Sequence, residues 1–263
     1  MTPQAILSHY DQANLWPDER TVPADLPLAY QTALQLRALR EERGEQVVGY
    51  KIGFTNRTLW ERYQVPAPIW GPMWNTTVSH CDGRGSIELA GTSLPRLESE
   101  VVFGLARTPP ERPTTQQVFD CIDWIAAGFE IVQSHCAGWK FTAAETIADG
   151  ALHARLLVGQ RRPVRELAAN ADELDAVLAA AQLALFHQGA RMDGGSGASV
   201  LDSPLRALQH FIHEFQCLPQ TARLMPGDVV TTGTWTDAWA VKAGESWQLK
   251  FDIGIAPLTV EFR

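Results

Sequence analysis

Apolar residues recur along the chain in two rhythms, and the change between them divides it. Residues Pro3 to Arg43 carry Leu28, Leu34, Leu36 and Leu39 at mostly helical spacing in Ala-rich sequence, and Gly44 marks the stop, which predicts a helical N-terminal segment. From Val47 onward, short alternating runs bounded by Gly and Pro predict strands. In Val47 to Phe54, one face carries Val48, Tyr50, Ile52 and Phe54, and the other carries Val47, Gly49, Lys51 and Gly53. Leu97 to Leu105 is a second strand. Thr115 to Ala127 is predicted as a helix with Val118, Ile122 and Ile125 as its stripe, a Thr114 or Thr115 cap and a stop at Gly128. A strand follows at Phe129 to Val132. The run from Leu174 to Phe186 splits at Gln182 into helix and alternating strand. Pro204 to Phe215 is an amphipathic helix with Ser203 as N-cap and Pro204 as its first residue. Val229–Thr232, Trp247–Phe251 and Leu258–Phe262 return to β.

Composition narrows the class. The 263 residues suffice for a large core, and 45% hydrophobic with 20% charged residues excludes wholesale disorder or a coiled coil. The net charge of −8 comes without a basic footprint, so no nucleic-acid partner is expected; Arg161, Arg162 and Arg165 read as a solvated turn. Cys81, Cys121, Cys136 and Cys217 are widely spaced and read as free buried thiols of a reducing compartment. The N-terminus lacks a signal-peptide pattern, and no apolar run approaches the roughly 18 residues of a membrane span. The expectation is a cytoplasmic protein with no membrane partner.

Candidate chemistry concentrates in Pro95-Arg96-Leu97-Glu98-Ser99-Glu100. On a strand, Glu98 and Glu100 share a face about 6.5–7 Å apart, opposite the apolar Leu97, Val101, Phe103 and Leu105. Such carboxylates are either solvated or share a cation. Glu130, alone in the apolar run Gly128-Phe129-Glu130-Ile131-Val132, tilts the balance toward a cation, and oxygen-only ligands favour Mg²⁺, Mn²⁺ or Ca²⁺. Lys51, flanked on its face by Gly49 and Gly53, suits a cleft wall as a carboxylate binder, or as a base if desolvation lowers its pKa, or else snorkels from an edge strand. His135 and His153 could be catalytic, but a lone histidine is more often structural, and His210 with His213 reads as a helix surface. Gly194-Gly195-Ser196-Gly197-Ala198 matches neither a nucleophile elbow nor a dinucleotide loop.

Five strings occur in one family in this order: Gly49-Tyr50-Lys51-Ile52-Gly53-Phe54-Thr55, Pro95 to Glu100, Phe129 to Val132, Thr146-Ile147-Ala148-Asp149, and Pro226 to Gly233. From about Ala24 onward the chain resembles the 2-keto-4-pentenoate hydratases and 4-oxalocrotonate decarboxylases of the fumarylacetoacetate hydrolase superfamily. The resemblance implies an α+β fold, a mixed β-roll with an N-terminal helical segment. Residues 1–75 would form that segment plus the first strand, and residues 76–263 the catalytic roll. It implies Glu98, Glu100 and Glu130 as ligands of Mg²⁺ or Mn²⁺. It implies Lys51 and Asp149 as catalytic residues, and Thr232, Thr234, Ser203 and Trp70 on the substrate side. The implied activity is hydration of a 2-hydroxydienoate or 2-oxo-enoate to a 4-hydroxy-2-oxo acid in aromatic catabolism. Decarboxylation of a 2-oxo-3-enedioate is the alternative, and a non-catalytic partner subunit is an alternative of another class. The implied assembly is a homo-oligomer or a complex with a paralogous decarboxylase or hydratase. Three positions depart from the pattern. Ile69 stands where many hydratases carry an Asp, and Gly150 and Ser203 replace the family's Asn and His.

Overall fold

The helical N-terminal segment is broken in two. A computed structural model describes residues 1–57, 60–63, 67–217 and 223–263. Helix α1 (Pro3–Gln12) starts where the Thr2 hydroxyl accepts a hydrogen bond from Ala5 N–H, with Pro3 as its first residue. It stops at Ala13, whose φ of 52° is left-handed. Helix α2 (Leu26–Glu42) restarts behind an Asp25 cap. The predicted continuity fails because residues 13–25 instead lay Trp16 against Ile6, Leu36 and Cys136 in a small core of their own.

The remaining elements follow in order: β1 (Val47–Gly53), α3 (Trp60–Tyr63), β2 (Ile69–Trp74), β3 (Val78–His80), β4 (Arg84–Ile87) and β5 (Arg96–Leu105). Then come α4 (Thr115–Cys121), β6 (Ile122–Val132), α5 (Ala143–Ala148), β7 (His153–Val158), β8 (Arg162–Pro163), α6 (Ala171–Ala180), β9 (Gln182–His187) and β10 (Ala190–Ser196). The chain ends with α7 (Pro204–Cys217), β11 (Val229–Thr231), β12 (Trp239–Ala240), β13 (Ser246–Phe251) and β14 (Leu258–Phe262).

The fold is α+β, with a curled, mixed main sheet in the order β2-β1-β11-β5-β6-β7-β3. Strand β12 pairs with β5 and β8 with β6. A second sheet runs β10-β9-β13-β14-β4. The boundary expected between residues 75 and 76 falls between β2 and β3, two strands of the same sheet, so the first strands are built into the roll. The main core fills the space between the sheets and α7, with Tyr50, Phe103, Phe129, Phe211, Leu249 and Val260 buried together. Among the cysteines, Cys121 and Cys136 are buried and free, whereas Cys217 is exposed, because it ends α7 on the solvent side.

The helix predicted over Thr115–Ala127 is the main departure. A capping box between Thr114 and Gln117 starts α4, but the helix closes at Cys121, and Ile122 is already extended. Ala126 and Ala127 have helical propensity, yet β6 pairs with β5 from Leu105↔Ile122 to Arg96↔Val132, and that long ladder overrides it. Gly128 is therefore not a helix stop. It lies in the strand opposite Glu100, where an added Cβ would sit 2.4 Å from Val102 Cγ2.

Gly49 fixes the position of β1. An added Cβ would lie 1.9 Å from the backbone oxygen of Val229, so any side chain forces β1 off its parallel partner β11. Gly49→Ala is expected to lose about 1–3 kcal/mol of stability by urea unfolding. A loss under about 0.5 kcal/mol would mean that the two strands separate without cost.

Candidate active site

Strands β5 and β6 place the three glutamates by register alone. Glu98 lies directly opposite Glu130, and Glu100 is two residues farther along the same face of β5. Oxygens of all three come within 4.8 Å of one another. Glu100 and Glu130 are sealed from solvent, while Glu98 keeps 17% of its side chain exposed and faces a cavity of about 590 Å³. Lys51 reaches this cluster from β1, where Lys51 pairs with Thr231 near the end of the short strand β11. Its Nζ lies 3.4 Å from Glu130 Oε2 and 3.9 Å from Glu98 Oε2. A Cβ at Gly53 would make only an ordinary contact with Nζ, at 3.8 Å, and a tighter one with Ile69 Cγ1, at 3.3 Å.

Beyond Thr231 the chain turns through Thr232 and Gly233, and the Gly233 N–H donates to Glu100 Oε2 at 2.6 Å. Glycine is required there: φ is 100°, and a Cβ would strike Thr55 Oγ1 at 2.0 Å. Behind Glu130, His153 Nδ1 lies 2.9 Å from Oε1, and its Nε2 is 2.8 Å from Thr77 Oγ1. An ionised carboxylate only accepts, so His153 carries its proton on Nδ1. Glu100 Oε1 and Glu130 Oε2 are left buried without a hydrogen-bond partner.

The electrostatics separate the three acids. Burial, against the pull of Lys51, pushes the Glu98 carboxyl up to about 7. Burial and the charges of Glu130 and Glu98 push Glu100 well above the usual carboxylate range. Burial also opposes ionisation of Glu130, but the Lys51 ammonium and the His153 N–H outweigh it and hold its carboxyl below that range. Burial disfavours the charged form of Lys51, and the surrounding carboxylates more than reverse this, so it stays an ammonium. Glu100 Oε1, buried without a donor, and Glu130 Oε2, met only by the Lys51 ammonium at 3.4 Å, fit a hard divalent cation in a set of acceptor-only ligands.

The cavity brings together Lys51, Glu98 and Thr234, with Ile69, Phe141, Trp139, Trp239 and Arg96 among its walls. The Thr234 hydroxyl also closes a turn with Thr236. The other sequence-derived residues do not line it. Trp70 points to the opposite face of β2 from Ile69 and packs on Tyr30 and Phe215, with ring centroids 4.8 and 5.0 Å away. Ser203 is buried at the start of α7, where its hydroxyl accepts from Leu205 N–H. The Thr232 hydroxyl donates to the Val101 carbonyl of β5. Asp149 is sealed behind the cavity, 2.7 Å from His135 Nδ1. Burial raises its pKa against the His135 bond. Its backbone oxygen accepts from Tyr10 O–H, which steadies the turn that carries Ala151 and Leu152 to the cavity wall.

Sequence reasoning weighed His153 as catalytic and favoured a structural role, because a lone histidine gives no spacing signal, and it assigned Arg96 no role.

This fold and site define the class. The model of the fumarylacetoacetate (FAA) hydrolase C-terminal family matches residues 61–261, and the chain belongs to that family. Within it, the chain is 30% identical over 229 residues to a 2-keto-4-pentenoate hydratase of Burkholderia vietnamiensis, an alignment covering 87% of this chain and 83% of that one. It is 29% identical over 211 residues to a 4-oxalocrotonate decarboxylase of a Pseudomonas species, covering 80% and 77%. The fold is also that of the 4-oxalocrotonate decarboxylase of Pseudomonas putida G7, solved with magnesium and adipate. There the TM-score is 0.86 at 21% identity, over 99% of this chain and 95% of that one.

Metal affinity is expected to depend on pH with a definite sign. A cation binds the ionised carboxylates, and Glu98 and Glu100 have raised pKa values, so protons compete. Mg²⁺ affinity measured by calorimetry should fall as pH drops through about 7, with protons released on binding. Affinity that stays constant from about pH 8 to 6 would contradict this ionisation pattern. His153→Ala removes the donor that orients Glu130 and should weaken Mg²⁺ binding about 10–100-fold in the same titration.

Proposed function

We propose that this protein is a divalent-metal-dependent lyase that adds water to a 2-hydroxydienoate or 2-oxo-enoate, giving a 4-hydroxy-2-oxo acid, as in aromatic catabolism. The observation that carries this reading is the carboxylate trio with two buried oxygens short of hydrogen-bond donors, set beside an ammonium at the end of a cavity. Glu98, Glu100 and Glu130 would hold the ion, Mg²⁺ or Mn²⁺ by its oxygen-only ligands. An ion bound there supplies Lewis-acid polarisation of the substrate's oxygens.

The chain's own groups do the rest. Lys51 Nζ is a charged donor at the cavity wall, placed to hold the substrate carboxylate and to deliver a proton to the carbon chain. Its pairing with Glu130 keeps it protonated between turnovers. Gly233 N–H and His153 each neutralise one carboxylate oxygen and so orient the remaining oxygens inward. Phe141, Trp139 and Ile69 line the cavity with apolar surface that limits bulk water. We assign Asp149 the task of positioning, through the turn it shares with His135 and Tyr10.

One observation favours a second reading. Ile69 packs against the Gly53 position beside Lys51, where many hydratases of the family carry an aspartate. An apolar group there offers no base to activate water. Decarboxylation of a 2-oxo-3-enedioate needs none: the carbon–carbon bond to the distal carboxylate breaks, its electron pair moves toward the 2-oxo group, and Lys51 returns a proton. The assembly we propose is a homo-oligomer.

The test uses metal-stripped protein with Mg²⁺ or Mn²⁺ added back. Metal-dependent consumption of 2-hydroxypenta-2,4-dienoate with gain of one water by mass is the expected result. Loss of CO₂ from 2-oxo-3-hexenedioate, without reaction of the dienoate, would replace hydration by decarboxylation. No turnover of either, with stable binding to a paralogous enzyme, would make the chain a partner subunit and overturn both.

A further inference from the structure

A second cavity lies behind Glu130. It measures about 330 Å³, and Arg40, Arg43, Glu45, Gln133, His153 and Arg155 are among its walls. It shares no lining residue with the cavity at the glutamates. His153 stands between the two: its Nδ1 is bonded to Glu130, and the residue lines the rear cavity.

The charges around this rear cavity do not balance, because three arginines face two carboxylates. Glu45 is taken twice, with Arg40 Nη2 2.5 Å from its Oε2 and Arg43 Nε on its Oε1. The Thr76 hydroxyl also donates to that Oε2, at 2.9 Å. Asp11 is taken by Arg43 Nη1 at 2.8 Å. Arg40 is further held by the Trp74 ring, whose centroid lies 4.4 Å from its guanidinium carbon. Arg155, on β7, has no such partner. Among the described residues its half-buried guanidinium makes one hydrogen bond, from Nη1 to the Ala154 carbonyl at 2.8 Å, and no ion pair. Burial and the charge of Arg40 both lower its pKa, the reverse of what a carboxylate partner does.

A neutral donor joins it. Gln133 follows β6 directly and is only 2% exposed. The Ser93 N–H donates to its Oε1 at 3.0 Å, which fixes the orientation of the amide. Its Nε2 is left with two N–H groups for which the described residues provide no acceptor. A buried amide donor that lacks an acceptor and a guanidinium that lacks an anion therefore share one cavity. Both recognise oxygen anions, and the guanidinium fork matches a carboxylate or a phosphate equally. The volume lies at the lower end of the range for small-molecule sites, which suits a compact metabolite.

We propose that the rear cavity is a second binding site, in which Arg155 and Gln133 hold the carboxylate or phosphate group of a small anionic metabolite. The site stands apart from the proposed function, since none of its residues lines the cavity at the glutamates.

The test titrates succinate and inorganic phosphate calorimetrically into the Mg²⁺-loaded protein. One of them, or both, should bind at a site that Arg155→Gln weakens about 10–100-fold, the range of a charge-assisted hydrogen bond. Arg155→Lys should restore part of that loss. Gln133→Glu keeps the acceptor for the Ser93 N–H and puts a negative charge where the free donor stood, so it should abolish binding. Tighter binding of succinate assigns the site to carboxylates and tighter binding of phosphate to phosphate groups; either supports it. Binding that Arg155→Gln and Gln133→Glu leave unchanged lies elsewhere and overturns the inference. So does a wild type that binds neither probe. Sedimentation velocity then identifies what neutralises the arginine: an assembly that Arg155→Gln dissociates would assign the missing anion to a carboxylate of a second copy of the chain. Should Arg155→Gln not fold, Gln133→Glu decides in its place.

Discussion

Three carboxylates cannot be gathered in a protein interior without compensation, and most of what surrounds Glu98, Glu100 and Glu130 answers that constraint. Two of them are fully sealed, and desolvation acts on all three. The chain supplies one ammonium, one imidazole N–H and one backbone N–H to the group. These donors satisfy part of the acceptor capacity and stop short of the rest. Burial and the neighbouring carboxylates therefore push Glu100 toward its protonated form, and the site is left short of a positive charge that the chain does not contain.

The architecture serves this arrangement. A long antiparallel ladder between β5 and β6 sets Glu98 against Glu130 without help from any loop. Curling of the main sheet and the shortness of β11 let Lys51 reach from β1 toward β6. Glycines at 49, 128 and 233 stand where backbones or side chains approach too closely for a Cβ, and each borders a strand that carries a site residue. The N-terminal helices act from behind. Helix α2 packs on α5 through Ala29 and Ile147, and Tyr10 of α1 bonds the Asp149 carbonyl, which together brace the turn that forms one cavity wall.

Much of this was legible in the sequence, for reasons that can be named. Strand alternation put Glu98 and Glu100 on one face and Lys51 on the face opposite Tyr50, because a period of two leaves few alternatives. The splitting of the run at Gln182 and the cap at Ser203 were local signals, and the structure keeps both. What failed was non-local. Residues 122–127 have the composition of a helix, and only their partner β5 makes them a strand. Trp70 looked like a substrate contact, but the pleat sends it into the aromatic core and gives the cavity wall to Ile69. Asp149 lies in a conspicuous string, yet its carboxylate turns away to His135. The role of His153 arises only from what stands next to it in space.

The most direct test is anomalous diffraction from crystals grown with Mn²⁺, which locates the ion without reference to turnover. The account predicts one strong peak between Glu98, Glu100 and Glu130, with Glu100 Oε1 and Glu130 Oε2 turned toward it and Lys51 still at the cavity wall. No peak there, with Glu100 and Glu130 in direct contact through a shared proton, would contradict it and leave the trio as a buried acid cluster held by Lys51, His153 and the Gly233 N–H.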